Sequence, residues 1–316
     1  MRVEDFKKLD RVVDEENDWR HRPDNAYKDG DKAQVSIVST ENRDLKAAVK
    51  MAVDAIGGVR KALAPSDRVL LKPNFNSDDP YPASTDLGFL KAVVEILREE
   101  GINDLTLGER AGWPWMPTEE VLEEMEVFEA CKTLDLPILN FDSGPWMDVR
   151  LGEKAKWWTK VAYHKSLKDF DKIVYLPCQK HHFLARFTMS LKLSVGLTNP
   201  VEMAYLHADH KQGKTEEPME LKMVEFGIAV GPDLIIMDGR KSFVTAGPDM
   251  GEVVAPNVIL ASGDRIALDV EGVKILQSYP RDNLIQMPVW EIPSIVHAVE
   301  LGLGVNGEED YEVIRR

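Results

Sequence analysis

The sequence predicts an α/β protein with a mostly parallel sheet and helices on both faces. From Gln34 onward, short β-branched runs alternate with amphipathic stretches, which is the pattern of repeated βα units. The short runs are apolar throughout, as strands covered on both faces are. The length of 316 residues allows one large unit or two lobes around a cleft, and the irregular segment 144–165 is the predicted joint in the two-lobe alternative.

The elements follow from N- to C-terminus. Residues 1–33 are polar and predict an appended arm with a short helix, residues 34–280 predict the α/β core, and residues 281–316 predict a C-terminal helical extension. The core strands are predicted at 35–38, 68–72, 104–108, 137–141, 172–177, 233–238 and 257–262.

Helices are predicted where apolar residues recur every three or four positions. They cover 45–56, 87–97 and a stretch that begins at Ser262 or Asp264 and runs to Val273. A further helix over 292–301 precedes the Gly-x-Gly-x-x-Gly string at 302–307. A dinucleotide loop needs a strand before its glycines, so this string predicts the end of a helix instead.

Charge and cysteine content exclude several classes of protein. Lys and Arg number 39 and Asp and Glu number 54, so the net charge of −15 argues against nucleic-acid and anionic-membrane partners. Cys131 and Cys178 are too few for a disulfide framework or a cysteine-ligated iron–sulfur cluster. With no apolar signal-peptide core and no long apolar run, a cytoplasmic location is expected. A homo-oligomer is compatible with the sequence.

Polar residues follow most of the predicted strands. Because ligands of parallel sheets bind beyond the carboxyl ends of the strands, these residues predict a site along one edge; scattered loop polarity is the alternative. The predicted ligand-binding residues are Lys72, Asn74, Thr85, Glu109 and Asp238, and Asp142, Lys180, His181 and His182 follow strands in the same way.

The segment 174–214 differs from the rest of the chain in charge. It carries five basic residues against two acidic ones and contains four of the seven histidines. A local positive pocket in an acidic protein predicts a small anionic ligand that bears a carboxylate or a phosphate. His181 and His182 are adjacent and point opposite ways in an extended chain, so only one is expected to enter a site, and the sequence leaves open which.

Two further patterns in this segment point to chemistry. His207 and His210 share a helix face if 203–211 is helical. They are candidate ligands for a transition metal such as nickel, iron or zinc. The alternative is that both are surface residues that bind no metal. Lys192 lies in the otherwise apolar stretch 187–197, where loss of hydration lowers an amine pKa. It is a candidate nucleophile or anion anchor, or a lysine whose stem covers apolar surface.

Six blocks of this chain resemble, in order, those of the domain of unknown function 362 family. They are LLKPN (70–74), Thr85 at a helix start, YLPCQKHH (175–182), FTMSLKLSVG (187–196), MDG with AGPDMGE (237–252) and ASGDRIALD (261–269). The resemblance covers roughly 35–278 and implies a fold and a pocket rather than a reaction. The four-cysteine ferredoxin module of many members is absent from this sequence.

A more distant resemblance is to the N-terminal part of the nickel-pincer lactate racemases. His182 precedes Lys192 by ten residues and His207 follows it by fifteen, and the resemblance implies that Lys192 attaches the cofactor and that His207 ligates the metal. The Ser-Gly-Gly that precedes the lysine in that family is replaced here by residues 189–191, and the first catalytic histidine has no counterpart in 108–120. Racemization is therefore not predicted.

We expect an enzyme that acts on a small anion with a transition metal or a nickel-pincer-like cofactor, and with Lys192, His182 and Lys180 as its catalytic residues. A lysine and a histidine can exchange protons near neutral pH when burial and neighbouring charge move their pKa values there. The alternative is a non-catalytic protein that uses the same pocket to bind a metal, an organometallic cofactor or an anionic metabolite.

Overall fold

The computed structural model describes residues 15–112, 116–211 and 219–316, except for the side chains of 208–211. The strands are β1 (Glu15–Asn17), β2 (Lys28–Asp29), β3 (Lys32–Ser39), β4 (Val69–Lys72), β5 (Leu105–Glu109), β6 (Ile138–Asn140), β7 (Trp146–Arg150), β8 (Lys160–His164), β9 (Lys172–Tyr175), β10 (Lys180–His182), β11 (Arg186–Thr188), β12 (Leu234–Gly239), β13 (Ser242–Phe243), β14 (Val253–Val254), β15 (Val258–Ser262) and β16 (Tyr311–Arg315). The helices are α1 (Leu45–Ala55), α2 (Leu87–Glu99), α3 (Thr118–Glu124), α4 (Val127–Thr133), α5 (Ser190–Leu193), α6 (Pro200–Lys211), α7 (Met219–Val224), α8 (Arg265–Gln277) and α9 (Pro293–Glu300).

The N-terminal arm and the lengths of the helices bear on two of the sequence predictions. The short helix predicted within the first 13 residues lies outside the described residues. Within the described ranges, every helix is too short or too polar to cross a bilayer.

A nine-stranded sheet organises the molecule. Its order is β16-β3-β15-β12-β9-β4-β5-β6, with β2 paired to β3. The strands β12, β9, β4, β5 and β6 pair in parallel, whereas β15 is antiparallel to both of its neighbours. The predicted α/β class with a largely parallel sheet is confirmed, and all seven predicted strands are present.

Alternating side chains on the central strands supply the apolar cores on the two faces of this sheet. On β4, Leu70 belongs to one core, and Val69 and Leu71 belong to the other. Because successive side chains of a strand point to opposite faces, an unbroken apolar run fits only a strand covered on both sides. Helices α1 and α2 cover one face, while α8 and the segments around α5 cover the other.

Side-chain caps begin three of the predicted helices. Asp44, Asp86 and Asp264 accept hydrogen bonds from the third residue of α1, α2 and α8, at 3.1, 2.8 and 2.9 Å. These bonds satisfy backbone N–H groups that have no partner within the helix. The α8 cap is thus Asp264 rather than Ser262.

The glycine string at 302–307 follows a helix, as predicted. Gly302 has a φ of 68°, and the N–H of Leu303 donates to the carbonyl of Ala298 at 3.0 Å after the end of α9. A left-handed glycine with this bond is a Schellman C-cap.

Several strands were absent from the sequence-based prediction. The segment 144–165 contains β7 and β8, which form a small sheet with β1 and bury Met147 and Tyr163 in the core that also holds Tyr175. The C-terminal segment, predicted to be helical, contains α9 but ends in β16, which pairs in parallel with β3. Short strands at a sheet edge or in a small sheet lack the long apolar run that marks a central strand.

Candidate functional site

The carboxyl ends of β4 and β5 bring two opposite charges together. The Lys72 ammonium pairs with the Glu109 carboxylate, and each side chain is at most 2% exposed. Glu109 also accepts the backbone N–H groups of Phe75 and Arg110, both at 2.8 Å. The buried carboxylate is thus held by three donor groups on adjoining segments, as a buried charge requires.

Gly196 allows the chain to pass close to this ion pair. A Cβ atom at this position would lie 2.7 Å from Cε and 2.9 Å from Nζ of Lys72. Both distances are shorter than van der Waals contact, so a larger residue would displace the lysine. Because position 196 is a glycine, the turn that follows α5 can pack directly against the Lys72–Glu109 pair.

The hairpin of β10 and β11 determines whether His181 or His182 lies on the same face as Lys180. Lys180 pairs with Thr188 in register, and alternation along β10 places Lys180 and His182 on one face and His181 on the other. His181 Nδ1 lies 2.9 Å from the carbonyl of Ala246. The charges that act on His182 are, in decreasing order, those of Lys192, Lys180, His207 and His181, so His182 lies in a cluster of cationic side chains that includes Lys180 and Lys192.

The tautomer of His182 follows from its hydrogen bonds. Its Nδ1 accepts the backbone N–H groups of Leu184 and Ala185 at 3.1 and 3.2 Å, so the proton of the neutral ring is on Nε2. Burial, reinforced by the nearby Lys192 and Lys180, holds the pKa of His182 well below its ordinary value. The imidazole is therefore neutral at physiological pH.

Lys192 lies in α5 and has the most perturbed amine of the cluster. Burial, followed by the charges of Lys180, Arg110 and Lys72, lowers its pKa to about 7. Within the described ranges its ammonium has neither a hydrogen-bond acceptor nor an ion-pair partner. An amine with this pKa exists as both base and acid near neutrality and is a strong candidate for anion binding or nucleophilic attack.

Lys180 is a second buried amine on the same side of the sheet. Its ammonium donates to the carbonyl of Ala83, and burial lowers its pKa to about 8 despite the opposing influence of Cys178 and Asp249. Arg110 is also buried, and its guanidinium donates to the carbonyls of Thr198, Ala111 and Val195 at 2.8 to 2.9 Å. These acceptors are neutral, and the carboxylates of Asp142, Glu109 and Glu202 act on the guanidinium through their charge, without a side-chain hydrogen bond to it among the described residues.

A cavity of about 30 Å³ lies between the strand ends and the segment 188–203. It has room for about one water molecule or for one polar group of a ligand. The charged residues in its wall are Lys72, Glu109, Arg110 and Lys192, and Asn74 and Gly196 also contribute. Because Glu109 is paired with Lys72, the wall retains the two positive charges of Arg110 and Lys192.

The other predicted ligand-binding residues, Asn74, Thr85 and Asp238, form hydrogen bonds that hold the loops around the cavity. The Asn74 N–H donates to Thr85 Oγ1 at 2.8 Å, and the Thr85 N–H donates to the Asn74 carbonyl at 2.9 Å. Asp238 accepts Tyr81 Oη at 2.8 Å and pairs with Arg240 at 2.7 Å, which places it in a separate polar cluster. Asp142 accepts the N–H and hydroxyl of Thr118 at the start of α3.

The predicted metal ligands lie on α6. Helix α6 confirms that 203–211 is helical. His207 is buried, and its Nδ1 lies 2.8 Å from the carbonyl of Met203, so the lone pair of the neutral ring is on Nε2. The side chain of His210 lies outside the described residues. No group of three His, Cys, Asp or Glu residues in the described part of the chain is arranged to hold a metal ion.

Two contributors to this site were not among the predicted site residues. The strand-end rule gives Arg110 together with Glu109, although the predicted ligand-binding set contains only Glu109. Gly196 gave no signal, because its importance depends on the side chain of Lys72, more than 100 positions away in the sequence.

Comparisons with known proteins give a related sequence, a solved structure and a family. The chain is 27% identical over 302 residues to the thylakoid-associated protein sll1697 of Synechocystis sp., covering 84% of this chain and 88% of that protein. It is 12% identical to the lactate racemase apoprotein from Thermoanaerobacterium thermosaccharolyticum, with a TM-score of 0.47, covering 75% of this chain and 55% of the racemase. The model of the family described as Domain of unknown function (DUF362) matches residues 69–274. The chain belongs to the DUF362 family.

Proposed function

We propose that this protein is an enzyme that binds a small carboxylate- or phosphate-bearing ligand at the Lys192 cavity. The observation that carries the proposal is the Lys192 ammonium, which has no partner among the described residues and shares the cavity wall with the positive charge of Arg110. A cleft walled by low-dielectric protein strengthens the field of such charges, even in a chain whose net charge is −15.

The proposed roles follow from the protonation states. Protonated Lys192 binds the anionic group of the ligand, and its lowered pKa allows the same amine to give up a proton near neutral pH. Neutral His182, with its proton on Nε2, is a hydrogen-bond donor that can also pass a proton. Lys180 keeps the local potential positive and is the second candidate acid–base group.

Anion binding can be tested with simple probes. Inorganic phosphate and acetate are expected to raise the thermal unfolding temperature of the wild-type protein, because a ligand that binds only the folded state stabilises it. The effect should be lost in Lys192→Met and kept in Lys91→Met, which removes an exposed lysine on α2. Equal shifts in all three proteins would refute anchoring by Lys192.

A second candidate function is the binding of an organometallic cofactor of the nickel-pincer type. Lys192 offers an amine that is partly unprotonated near neutral pH, as covalent attachment requires, and His207 is a buried imidazole on α6 whose Nδ1 contact fixes the tautomer of the neutral ring. Such a group would supply metal-centred redox or Lewis-acid chemistry, while this chain would hold it and keep neutral His182 nearby. Nickel, iron and zinc remain the candidate metals.

Intact-mass measurement and elemental analysis separate this second function from plain anion binding. Protein purified from its native host should carry a mass excess and a stoichiometric metal, and the excess should be absent from Lys192→Ala. An unmodified mass without a transition metal would eliminate the cofactor proposal and leave anion binding intact.

A further inference from the structure

The segment that carries Lys192 is held in place by a buried aspartate of α8. Asp269 is 0% exposed, and both of its oxygens face the start of α5. One oxygen accepts the N–H and the hydroxyl of Ser190 at 3.0 and 2.6 Å, and the other accepts the N–H of Leu191 at 2.9 Å. Backbone N–H groups at the start of a helix have no partner within it, and here the partner comes from another helix.

The burial of this carboxylate requires an explanation. An aspartate within a helix that packs on the sheet costs free energy unless its oxygens are fully hydrogen-bonded, and an apolar residue of similar size would fit without that cost. The three bonds of Asp269 all go to the two residues that precede Lys192. The hydrogen bonds of Asp269 therefore hold the start of α5 in place.

The same helix also locates the segment that carries Lys180. One turn after Asp269, the carbonyl of Gly272 accepts the side-chain N–H of Gln179 at 2.8 Å. A Cβ atom on Gly272 would lie 2.5 Å from Sδ of Met189, so α8 and the chain before α5 are in close contact. The helix thus contacts residues on the segments that carry both lysines.

We propose that Asp269 is a positioning residue that fixes α5 so that the Lys192 amine stays within the cluster formed by Lys180, Arg110, Lys72 and His182. The inference deepens the proposed function, because the group it positions is the proposed anion anchor. Without the three bonds, the single turn of α5 has no other side chain among the described residues to satisfy its first N–H groups. The turn would then shift and expose the partly buried amine to more water.

The test compares two buried aspartates associated with α8. Asp269→Asn keeps the size of the side chain but cannot accept both backbone N–H groups, because one of its terminal atoms is now a donor. Asp264→Asn is the matched control, since Asp264 is also buried but caps α8 itself and accepts the N–H groups of Ala267 and Val305. Both variants are expected to unfold at a lower temperature than the wild type.

The deciding measurement is the titration of the Lys192 amine without added anion, by NMR of protein labelled with ¹³C at lysine Cε; Lys192→Met assigns the signal. In Asp269→Asn the titration midpoint should rise, and a rise from about 7 to about 8 lowers the unprotonated fraction at pH 7 about fivefold. Asp264→Asn should leave the midpoint unchanged. An unchanged midpoint in Asp269→Asn, or an equal shift in both variants, would overturn the proposal.

A fallback variant covers the case in which Asp269→Asn does not fold. Ser190→Ala removes only the hydroxyl bond and should shift the midpoint in the same direction by a smaller amount; no shift would again overturn the proposal. The measurement is made without ligand, so a failure of phosphate or acetate to bind would refute the proposed function and leave the positioning role standing.

Discussion

Lys192→Met is expected to make the folded protein more stable at neutral pH. Burial and neighbouring cations lower the Lys192 pKa from its ordinary value near 10.5 to about 7. One pKa unit corresponds to about 1.4 kcal/mol, so the charged amine costs the folded state about 4 kcal/mol at pH 7. The residue is partly exposed, and screening by solvent reduces this figure; we expect a gain of about 2 kcal/mol.

The pH dependence of this gain follows from the two pKa values. The folded-state pKa is lower than the unfolded-state pKa, so between pH 7 and about 10.5 the unfolded chain binds more protons and wild-type stability rises with pH. The variant lacks this group, so its advantage should be largest below pH 7 and should disappear as the pH approaches 10.5.

Urea unfolding at a series of pH values, in a buffer free of phosphate and carboxylates, measures this difference. Lys91→Met is the control, because the exposed Lys91 should contribute little to the pH dependence. If Lys192→Met were no more stable than the wild type at pH 7 and kept its pH profile, the amine would not be desolvated as argued.

The remaining predictions concern the neighbours of Lys192 and its charge state. Glu109→Gln leaves the buried Lys72 without its carboxylate and should lower the free energy of unfolding by about 3 kcal/mol in urea titrations; a loss below about 1 kcal/mol would contradict the pairing. Gly196→Ala should cost about 1–3 kcal/mol by the same assay, because its Cβ would overlap Lys72, and a neutral effect would mean that the turn relaxes freely. Acetate affinity, followed by calorimetry, should fall as the pH rises above about 7 because Lys192 loses its proton, and a flat profile would exclude this amine as the anchor.

The site was predictable to the extent that it depends on strand ends. Lys72, Glu109 and Lys180 each follow a buried apolar strand, and parallel strands bring their carboxyl ends to one edge. The same rule also selected Asp238, which the structure places with Tyr81 and Arg240 in a separate cluster. Strand order identifies the edge that a residue reaches, but the partner of its side chain depends on the loops around it.

The sequence by itself determined the α/β class, the central strands and the family, because apolar periodicity and ordered blocks are local properties of the chain. Only the tertiary structure decided that His182 rather than His181 joins the cations, that Gly196 lies against Lys72, and that Asp269 holds the turn of Lys192. These relations join residues far apart in the sequence, and they depend on packing distances and on the burial of charge, which no local pattern encodes.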